Sequence, residues 1–196
     1  MNTLEFIDKI KNHLKSNLSA RRFVHIQGVA KTARELANQH GVNEDQAEIA
    51  GWLHDIAKEF NNQELINKAN EEGLELIEEE KDSPHLLHAK IGAIVARELF
   101  QIEDPVILSA IAQHTLGKPN MNRLEEIIFI ADSIEPSRPE VWREGIIKSL
   151  EEKGFEGAIV TCCQQTLKEI LVKKATIHPL TIHTYNYYVN KVSKGL

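Results

Sequence analysis

The sequence predicts an all-α bundle, and three observations support this fold class. Apolar residues recur at helical spacing along most of the chain, and no stretch alternates polar and apolar residues well enough to indicate a strand. The six prolines and ten glycines fall between the periodic segments. With 196 residues, of which 42% are hydrophobic, we expect a single domain, 1–196, with a substantial core.

Caps, helix breakers and apolar stripes set the predicted helices. The expected segments are about 3–16, 20–40, 43–58, 62–71, 83–99, 104–117, 122–135, 138–150, 155–173 and 181–193. Asn43 and Gln46 match a capping box, and Ser83-Pro84 and Asp104-Pro105 each place a cap residue before a first-turn proline. A glycine ends the second segment, and Pro136 ends the one that begins near residue 122.

Apolar stripes assign an inner face to the helices. The residues expected to point inward include Leu4, Ile7, Ile10, Leu14, Val29, Leu36, Ile91, Val95, Leu99, Ile107, Ile111, Leu124, Ile128, Val141, Ile146, Phe155, Ile159, Leu167 and Ile170. The acidic run 78–80 is expected to lie in solvent. Adjacent Cys162 and Cys163 match no zinc cage and indicate small buried helix residues in a reducing compartment. The tyrosines at 185–188 are expected in the core and at its rim rather than in a base-stacking platform.

Composition excludes several classes of function. The net charge is −6 and no basic run occurs, so nucleic acid is not expected as a main ligand. The N-terminus is too charged for a signal peptide, and no apolar run reaches membrane-spanning length, which predicts a cytoplasmic protein without a membrane partner. A homodimer is expected only because two-fold dimers are the commonest oligomers.

Six polar side chains interrupt the apolar stripes of five predicted helices. They are His25, His54, Asp55, His88, His114 and Asp132. One buried histidine is usually a satisfied core residue, and a His-Asp pair alone can cap a helix or face solvent. Five helices that each carry such a residue indicate convergence on one central site, as in the metal centres of helical bundles.

Imidazole and carboxylate ligands without thiolate suit iron, manganese, cobalt, nickel or zinc. A metal-bound water ionises near neutral pH, and the hydroxide attacks phosphorus or carbonyl centres. Lys58 can hold phosphate oxygens as a point charge and Arg138 as a fork, although Lys58 could instead snorkel and Arg138 could pair with Glu135. No P-loop, dinucleotide fingerprint, GxSxG or HExxH motif is present. We infer metal-assisted hydrolysis of a phosphoester or phosphoanhydride.

The order His, His-Asp, His, His, Asp resembles the HD-domain metal-dependent phosphohydrolase superfamily over residues 20–135. Longer motifs resemble the bacterial YqeK family over almost the whole chain. They are Arg22, His25 and Gly28, AGWLHDIAK at 50–58, HAKIGA at 88–93, AQHTLG at 112–117, ADSIEPSR at 131–138 and IHPLT at 177–181. The resemblance implies an HD-domain helical bundle with the metal site at its centre, and C-terminal helices, 139–196, that complete a nucleotide pocket.

Members of that family are similar to symmetrical dinucleoside tetraphosphate hydrolases, so the resemblance implies cleavage of diadenosine tetraphosphate into two ADP by attack of metal-bound hydroxide on the central phosphoanhydride. It implies an iron ion held by His25, His54, Asp55 and Asp132, and catalytic roles for Asp55, Lys58, His88 and His114. His88 and His114 would hold either a second metal or phosphate. The implied nucleotide contacts are Gly28, Asp55, Ile56, Ala57, Lys58, His88, His114, Thr115, Asp132, Arg138, Thr176, Ile177, His178, Pro179, Leu180 and Thr181. Alternatives are another HD phosphohydrolase, acting on nucleotides or guanosine polyphosphates, and a non-catalytic nucleotide-binding sensor.

Overall fold

The computed structural model describes residues 2–194, and within that range the regular structure is helical, which confirms the predicted all-α class. The helices are α1 Thr3–Asn17, α2 Ala20–Gln39, α3 Glu44–Leu53, α4 Asn62–Glu71, α5 Glu78–Asp82, α6 His88–Phe100, α7 Pro105–Gln113, α8 Arg123–Ile134, α9 Glu140–Lys173 and α10 Pro179–Lys194. A 3₁₀ turn, Pro84–Leu87, leads into α6. No helix among residues 2–194 combines the length and hydropathy needed to cross a bilayer.

The centre of the molecule is formed by α2, α3, α7 and α8. Helix α2 packs against α3 and α8, and α7 packs against α6, α8 and α3. The crossing of α2 and α3 is very close, because a Cβ added at Gly51 would lie 2.6 Å from the Ala30 Cα. Small residues at this point allow the two backbones to approach, and the approach brings the C-terminal end of α3 beside the middle of α2.

Helix α9 folds back on itself at Gly154. This glycine has a φ of 68°, a left-handed conformation that other residues adopt at a cost. The Thr161 hydroxyl donates to Ser149 Oγ over 3.0 Å, although these residues would be about 18 Å apart along a continuous helix. The arms 140–153 and 155–173 therefore form an antiparallel hairpin, as the two separate helices predicted for this region require.

Helix α10 is anchored to the start of α8 by Tyr188. Its ring is fully buried, and its hydroxyl donates to Glu126 over 2.9 Å and accepts from the Met121 N–H over 3.2 Å. Burial without these partners would be costly for a phenol. Tyr188 thus confirms the core interpretation of the C-terminal tyrosines, and Cys162 and Cys163 are free and buried as expected.

Three residues assigned to inner faces point outward instead. Leu4, Leu99 and Val141 are 75%, 49% and 84% exposed. Leu4 and Val141 lie in the first turn of their helices and Leu99 in the last turn of its helix. Their exposure shows that the neighbouring helices no longer cover the stripe there, so helical periodicity alone overstates the length of the buried face.

One residue of the acidic run 78–80 differs from the prediction in the opposite direction, because it is buried. Glu80 was expected in solvent, but it lies in α5 and is 2% exposed. Its carboxylate accepts from Lys90 over 2.6 Å and from the Ile77 N–H over 3.2 Å. A carboxylate can be buried when it has such partners, and the sequence of the acidic run does not indicate which residues they are.

Candidate metal centre

The turn after α3 positions the first polar residues of the site. Helix α3 ends at Leu53, so the predicted continuation of this helix to Lys58 is wrong. Bonds from the Ile56 N–H to the Leu53 oxygen, 3.1 Å, and from the Lys58 N–H to the Asp55 oxygen, 2.9 Å, close tight i→i+3 turns instead. Asp55 and Lys58, three residues apart in these turns, both line the same cleft.

Four of the six predicted residues meet around one point. His25 Nε2 lies 3.1 Å from Asp132 Oδ1 and 3.7 Å from Asp55 Oδ2. His54 Nε2 lies 3.6 Å from the same Asp55 oxygen and 3.9 Å from the same Asp132 oxygen. Two ligands about 2.1 Å from a tetrahedral ion are about 3.4 Å apart. The four imidazole-to-carboxylate distances, between side chains from α2, the turn after α3, and α8, are thus close to the spacing of metal ligands.

The other oxygen of Asp55 faces the remaining two histidines. Asp55 Oδ1 lies 3.3 Å from His88 Nε2 and 3.4 Å from His114 Nε2. The two imidazole nitrogens are 3.2 Å apart, and Thr115 Oγ1 is 3.0 Å from each of them. Asp55 therefore stands between two potential cation positions, one on each carboxylate oxygen.

The four histidines share one orientation: each ring turns Nδ1 away from the centre and Nε2 towards it. The Nδ1 of His54 donates to the Gly51 carbonyl, that of His88 to the His85 carbonyl and that of His114 to the Ile111 carbonyl. His25 Nδ1 donates to the Glu135 carboxylate, and all four distances are 2.6–2.9 Å. Carbonyl and carboxylate oxygens only accept, so Nδ1 carries the hydrogen, and in the neutral ring Nε2 keeps its lone pair. Fixing the tautomer in this way is how proteins prepare imidazoles for a metal.

Several of the inward atoms find no hydrogen-bond partner within residues 2–194. They are His25 Nε2, His54 Nε2 and Asp55 Oδ1, which are all buried. Leaving such groups without a partner costs free energy, and a cation among them removes the cost. Three groups of side chains bring possible ligand atoms close together: His25 with His54 and Asp55; His54 with His114 and Asp132; and Asp55 with His88 and His114. The donors are nitrogen and oxygen, which fits a divalent transition metal and leaves its identity open.

Charge at the centre is also arranged for a cation. Burial lowers the pKa of His54 to about 3, so its ring is neutral and can ligate. Burial would raise the pKa of Asp55, but the nearby imidazoles of His54, His114 and His88 hold it well below its usual range. Burial opposes charge on His25, yet Asp132 and Glu135 outweigh that and raise its pKa, so a bound metal would displace a proton there.

The centre opens into a cleft of about 670 Å³. Of the residues predicted from sequence, the cleft is lined by Asp55, Lys58, His114, Thr115, Asp132, Arg138, Thr176, His178 and Thr181. The predicted contacts Gly28, Ile56, Ala57, His88, Ile177, Pro179 and Leu180 are not among its lining residues. His88 nevertheless belongs to the polar cluster. Lining residues that the sequence reasoning did not single out as site residues include Arg21, Arg22, His85, Trp142, Ile170 and Lys173.

Lys58 and Arg138 both face the centre. Lys58 Nζ lies 3.1 Å from His88 Nε2, and burial lowers the pKa of this lysine. Arg138 does not pair with Glu135, the alternative considered from sequence. It donates instead to the Asp132 carboxylate, 2.5 Å, and to the Asp132 carbonyl, 2.8 Å. Arg22 similarly donates to Asp55 Oδ2 over 2.6 Å. Three cations therefore surround a centre in which two carboxylates are the inner anions.

Gly28 was expected to allow close approach to the backbone, and the group that approaches is the Glu135 carboxylate. A Cβ at residue 28 would collide with Glu135 Oε2. Glu135 is fully buried and accepts from His25 Nδ1 and from the Ser137 N–H, 2.8 Å. Gly28 therefore makes room for the acid that orients His25, and its predicted nucleotide contact stays a prediction.

Comparison with known proteins places this site in context. The model of the HD domain family matches residues 22–137. The symmetrical bis(5'-nucleosyl)-tetraphosphatase of Halalkalibacterium halodurans is 38% identical, with 88% of this chain and 91% of that protein covered. The enzyme of the same name from Bacillus subtilis is 34% identical, with coverages of 90% and 94%. A solved Clostridium acetobutylicum structure, described as a predicted HD superfamily hydrolase involved in NAD metabolism, has a TM-score of 0.90 and 36% identity, covering 94% of this chain and 97% of its own.

Proposed function

The chain belongs to the HD domain family, and from this premise we propose that it is a metal-dependent phosphohydrolase that cleaves diadenosine tetraphosphate symmetrically into two ADP. The family resemblance drawn from the motifs is confirmed. The activity is supported by relatives that carry this name along nearly their whole length. The observation that carries the proposal is the set of buried ligand atoms without a hydrogen-bond partner among the described residues, on α2 and the turn after α3, beside Asp132 of α8.

His25, His54, Asp55 and Asp132 would hold the metal, which we propose to be iron, with manganese, cobalt, nickel and zinc as chemical alternatives. When bound, such an ion supplies Lewis acidity, lowering the pKa of a coordinated water and withdrawing charge from a phosphate oxygen. Asp55 Oδ1, His88 and His114 form a second position, available to a further cation or, through the imidazoles and Thr115, to phosphate oxygens.

The surrounding cations match the charge of the substrate. Hydrolysis adds one water across the central P–O–P link, and the bridging oxygen leaves with one ADP. Lys58 stands beside the His88 and His114 pair, and Arg138 stands beside Asp132, so the polyphosphate would be held from two sides. The planar guanidinium of Arg138 on one side and the ammonium of Lys58 on the other would fix the orientation of the polyphosphate as well as neutralise its charge, which favours attack at one particular phosphorus.

The C-terminal part of the cleft would recognise the nucleoside half. Thr176, His178 and Thr181 line it together with Trp142 and other residues of the α9 hairpin. A pocket that accepts one nucleoside diphosphate, with the metal centre at its phosphate end, explains cleavage at the middle of the tetraphosphate. We propose that the turn 176–181 and Arg138 bind this nucleoside diphosphate and so determine which phosphorus lies at the metal centre.

Product analysis tests the proposal. Metal-loaded protein is incubated with diadenosine tetraphosphate and the nucleotides are separated by chromatography. Two ADP per substrate supports the proposal. AMP with ATP contradicts symmetrical cleavage, and faster turnover of guanosine polyphosphates or nucleoside triphosphates would indicate another HD phosphohydrolase. Tight nucleotide binding without turnover, in protein shown to contain metal, would indicate a sensor.

A further inference from the structure

The buried carboxylate of Glu80 joins three segments at the rim of the cleft. Glu80 lies in α5, which packs against the Pro84–Leu87 turn. Its Oε1 accepts from Lys90 over 2.6 Å, and Lys90 lies in the first turn of α6, two residues after His88. The same Oε1 lies 3.6 Å from His178 Nε2, in the turn that precedes α10. One carboxylate therefore contacts or faces both the segment that delivers His88 and the turn 176–181.

The orientation of His178 points to Glu80 as its partner. His178 is buried and lines the cleft. Its Nδ1 accepts from the Leu180 N–H over 3.1 Å, so Nε2 must carry the hydrogen. This Nε2 is buried and has no hydrogen-bond partner in the described part of the chain, and a small movement would complete its bond to Glu80. The Thr181 N–H also donates to the His178 carbonyl, 3.0 Å, so the whole turn depends on how His178 is held.

Glu80 is suited to this role because it remains ionised. Burial by itself raises the pKa of its carboxyl, but the Lys90 ammonium and the Ile77 N–H outweigh that effect and lower the pKa. A charged acceptor makes a stronger bond to an imidazole N–H than a neutral one. A fully exposed member of the acidic run could not fix a buried turn, because solvent would screen the contact.

We propose that Glu80 is a positioning residue for nucleotide binding: through Lys90 and His178 it fixes the turn 176–181 relative to the His88 end of the cleft. This inference rests on the proposed function, because it takes the turn to contact the nucleotide. Glu80 does not line the cleft itself. Its effect must therefore be indirect and must appear in nucleotide affinity rather than in metal content.

The test compares Glu80→Gln with Glu78→Gln. Both residues lie in α5, and Glu78 is exposed and contacts only Lys81 among the described charged residues, so its variant controls for loss of charge. Titration calorimetry of ADP into metal-loaded protein gives an affinity that needs no turnover. We expect Glu80→Gln to raise the Kd about fivefold to tenfold, which corresponds to the net contribution of about one hydrogen bond. Glu78→Gln should leave the Kd unchanged, and the metal content of both should equal that of the wild type.

A double-variant cycle separates positioning from general weakening of the fold. If Glu80 acts through His178, adding Glu80→Gln to His178→Gln should produce little further loss of ADP affinity. Steady-state kinetics should show a raised KM with kcat within about twofold, as expected when binding rather than chemistry is weakened. Unchanged ADP affinity in Glu80→Gln, or fully additive losses in the cycle, would overturn the proposal. If the wild type binds ADP but does not cleave the tetraphosphate, the proposed function fails while the role of Glu80 in binding is still decided.

Discussion

His25 Nδ1 lies 2.9 Å from Glu135 Oε1, and this contact connects a proposed metal ligand to the loop that carries Arg138. Glu135 also accepts from the Ser137 N–H and hydroxyl, so one buried carboxylate orients the ligand and shapes the loop. A carboxylate behind a histidine fixes the tautomer and raises the basicity of the ligating nitrogen. The geometry of the centre therefore depends on a residue that does not itself face the proposed ion.

Replacing Glu135 should weaken metal binding without removing a ligand. We expect Glu135→Gln to lower metal affinity about tenfold or more, the loss typical of such supporting groups. Competition with a chelator of known affinity measures this change. Glu144→Gln, on the exposed face of α9, is the matched control and should bind metal like the wild type. Equal affinity in both variants would show that the carboxylate behind His25 is unimportant.

Gly28 should tolerate no side chain, because Glu135 occupies the space. Gly28→Ala forces the buried carboxylate away from His25, and we expect the free energy of unfolding to fall by about 1–3 kcal/mol, the usual cost of overpacking. Thermal unfolding is the measurement. Gly145→Ala would meet the end of the Gln165 side chain at 3.3 Å and Thr161 at an ordinary contact distance of 3.9 Å, and it should be neutral or stabilising, since alanine favours a helix. Similar destabilisation of both variants would contradict this explanation.

Lys58 should set an alkaline limit to activity. Burial lowers the pKa of Lys58, so its ammonium is lost at a lower pH than in an exposed lysine, and turnover should fall as pH rises through that lowered pKa. Arginine keeps its charge throughout this range. The pH profile of Lys58→Arg should therefore lose the alkaline limb, while Lys58→Met should reduce kcat about 100-fold below the pKa of Lys58 and by progressively less above it. A limb that is identical in wild type and Lys58→Arg would assign the titration to another group.

Glu126 should make folding stability depend on pH. Burial raises the pKa of this carboxyl, although Tyr188 and Arg123 oppose the shift. The folded state thus holds the proton more tightly, so the contribution of Glu126 is present at acid pH and is lost as pH rises from its ordinary pKa through the raised one. Denaturant unfolding should show that the stability of Glu126→Gln relative to the wild type increases over this interval. A difference that is constant with pH would contradict the raised pKa.

The sequence predicted the members of the centre because each lies on a periodic stripe. His25 and Asp132 lie within the regular helices α2 and α8, and His88 and His114 lie at the boundaries of α6 and α7. Their helical spacing was therefore enough to place them inward. The tight turns of residues 54–58 were missed, because hydrogen bonds of the i→i+3 type leave no pattern that distinguishes them from a helix.

Partners distant in the chain account for what sequence could not predict. The burial of Glu80 depends on Lys90 and His178, which are remote from the acidic run. The rims of the cleft at Arg21, His85, Trp142 and Lys173 consist of side chains that are not fully buried, and such residues obey no periodicity. The exposed Val141 shows the complementary limit, since an apolar stripe does not reveal where the covering helix stops.

The most direct measurement is a crystal structure of the metal-loaded protein with anomalous scattering recorded at the absorption edge of the metal. We expect a peak about 2.0–2.3 Å from His25 Nε2, His54 Nε2 and oxygens of Asp55 and Asp132. A second peak beside His88 and His114 would show that both sides of Asp55 bind a cation. A single metal site elsewhere in the molecule, or a protein that retains full activity with no ion at these four residues, would contradict the assignment of the metal centre to these residues.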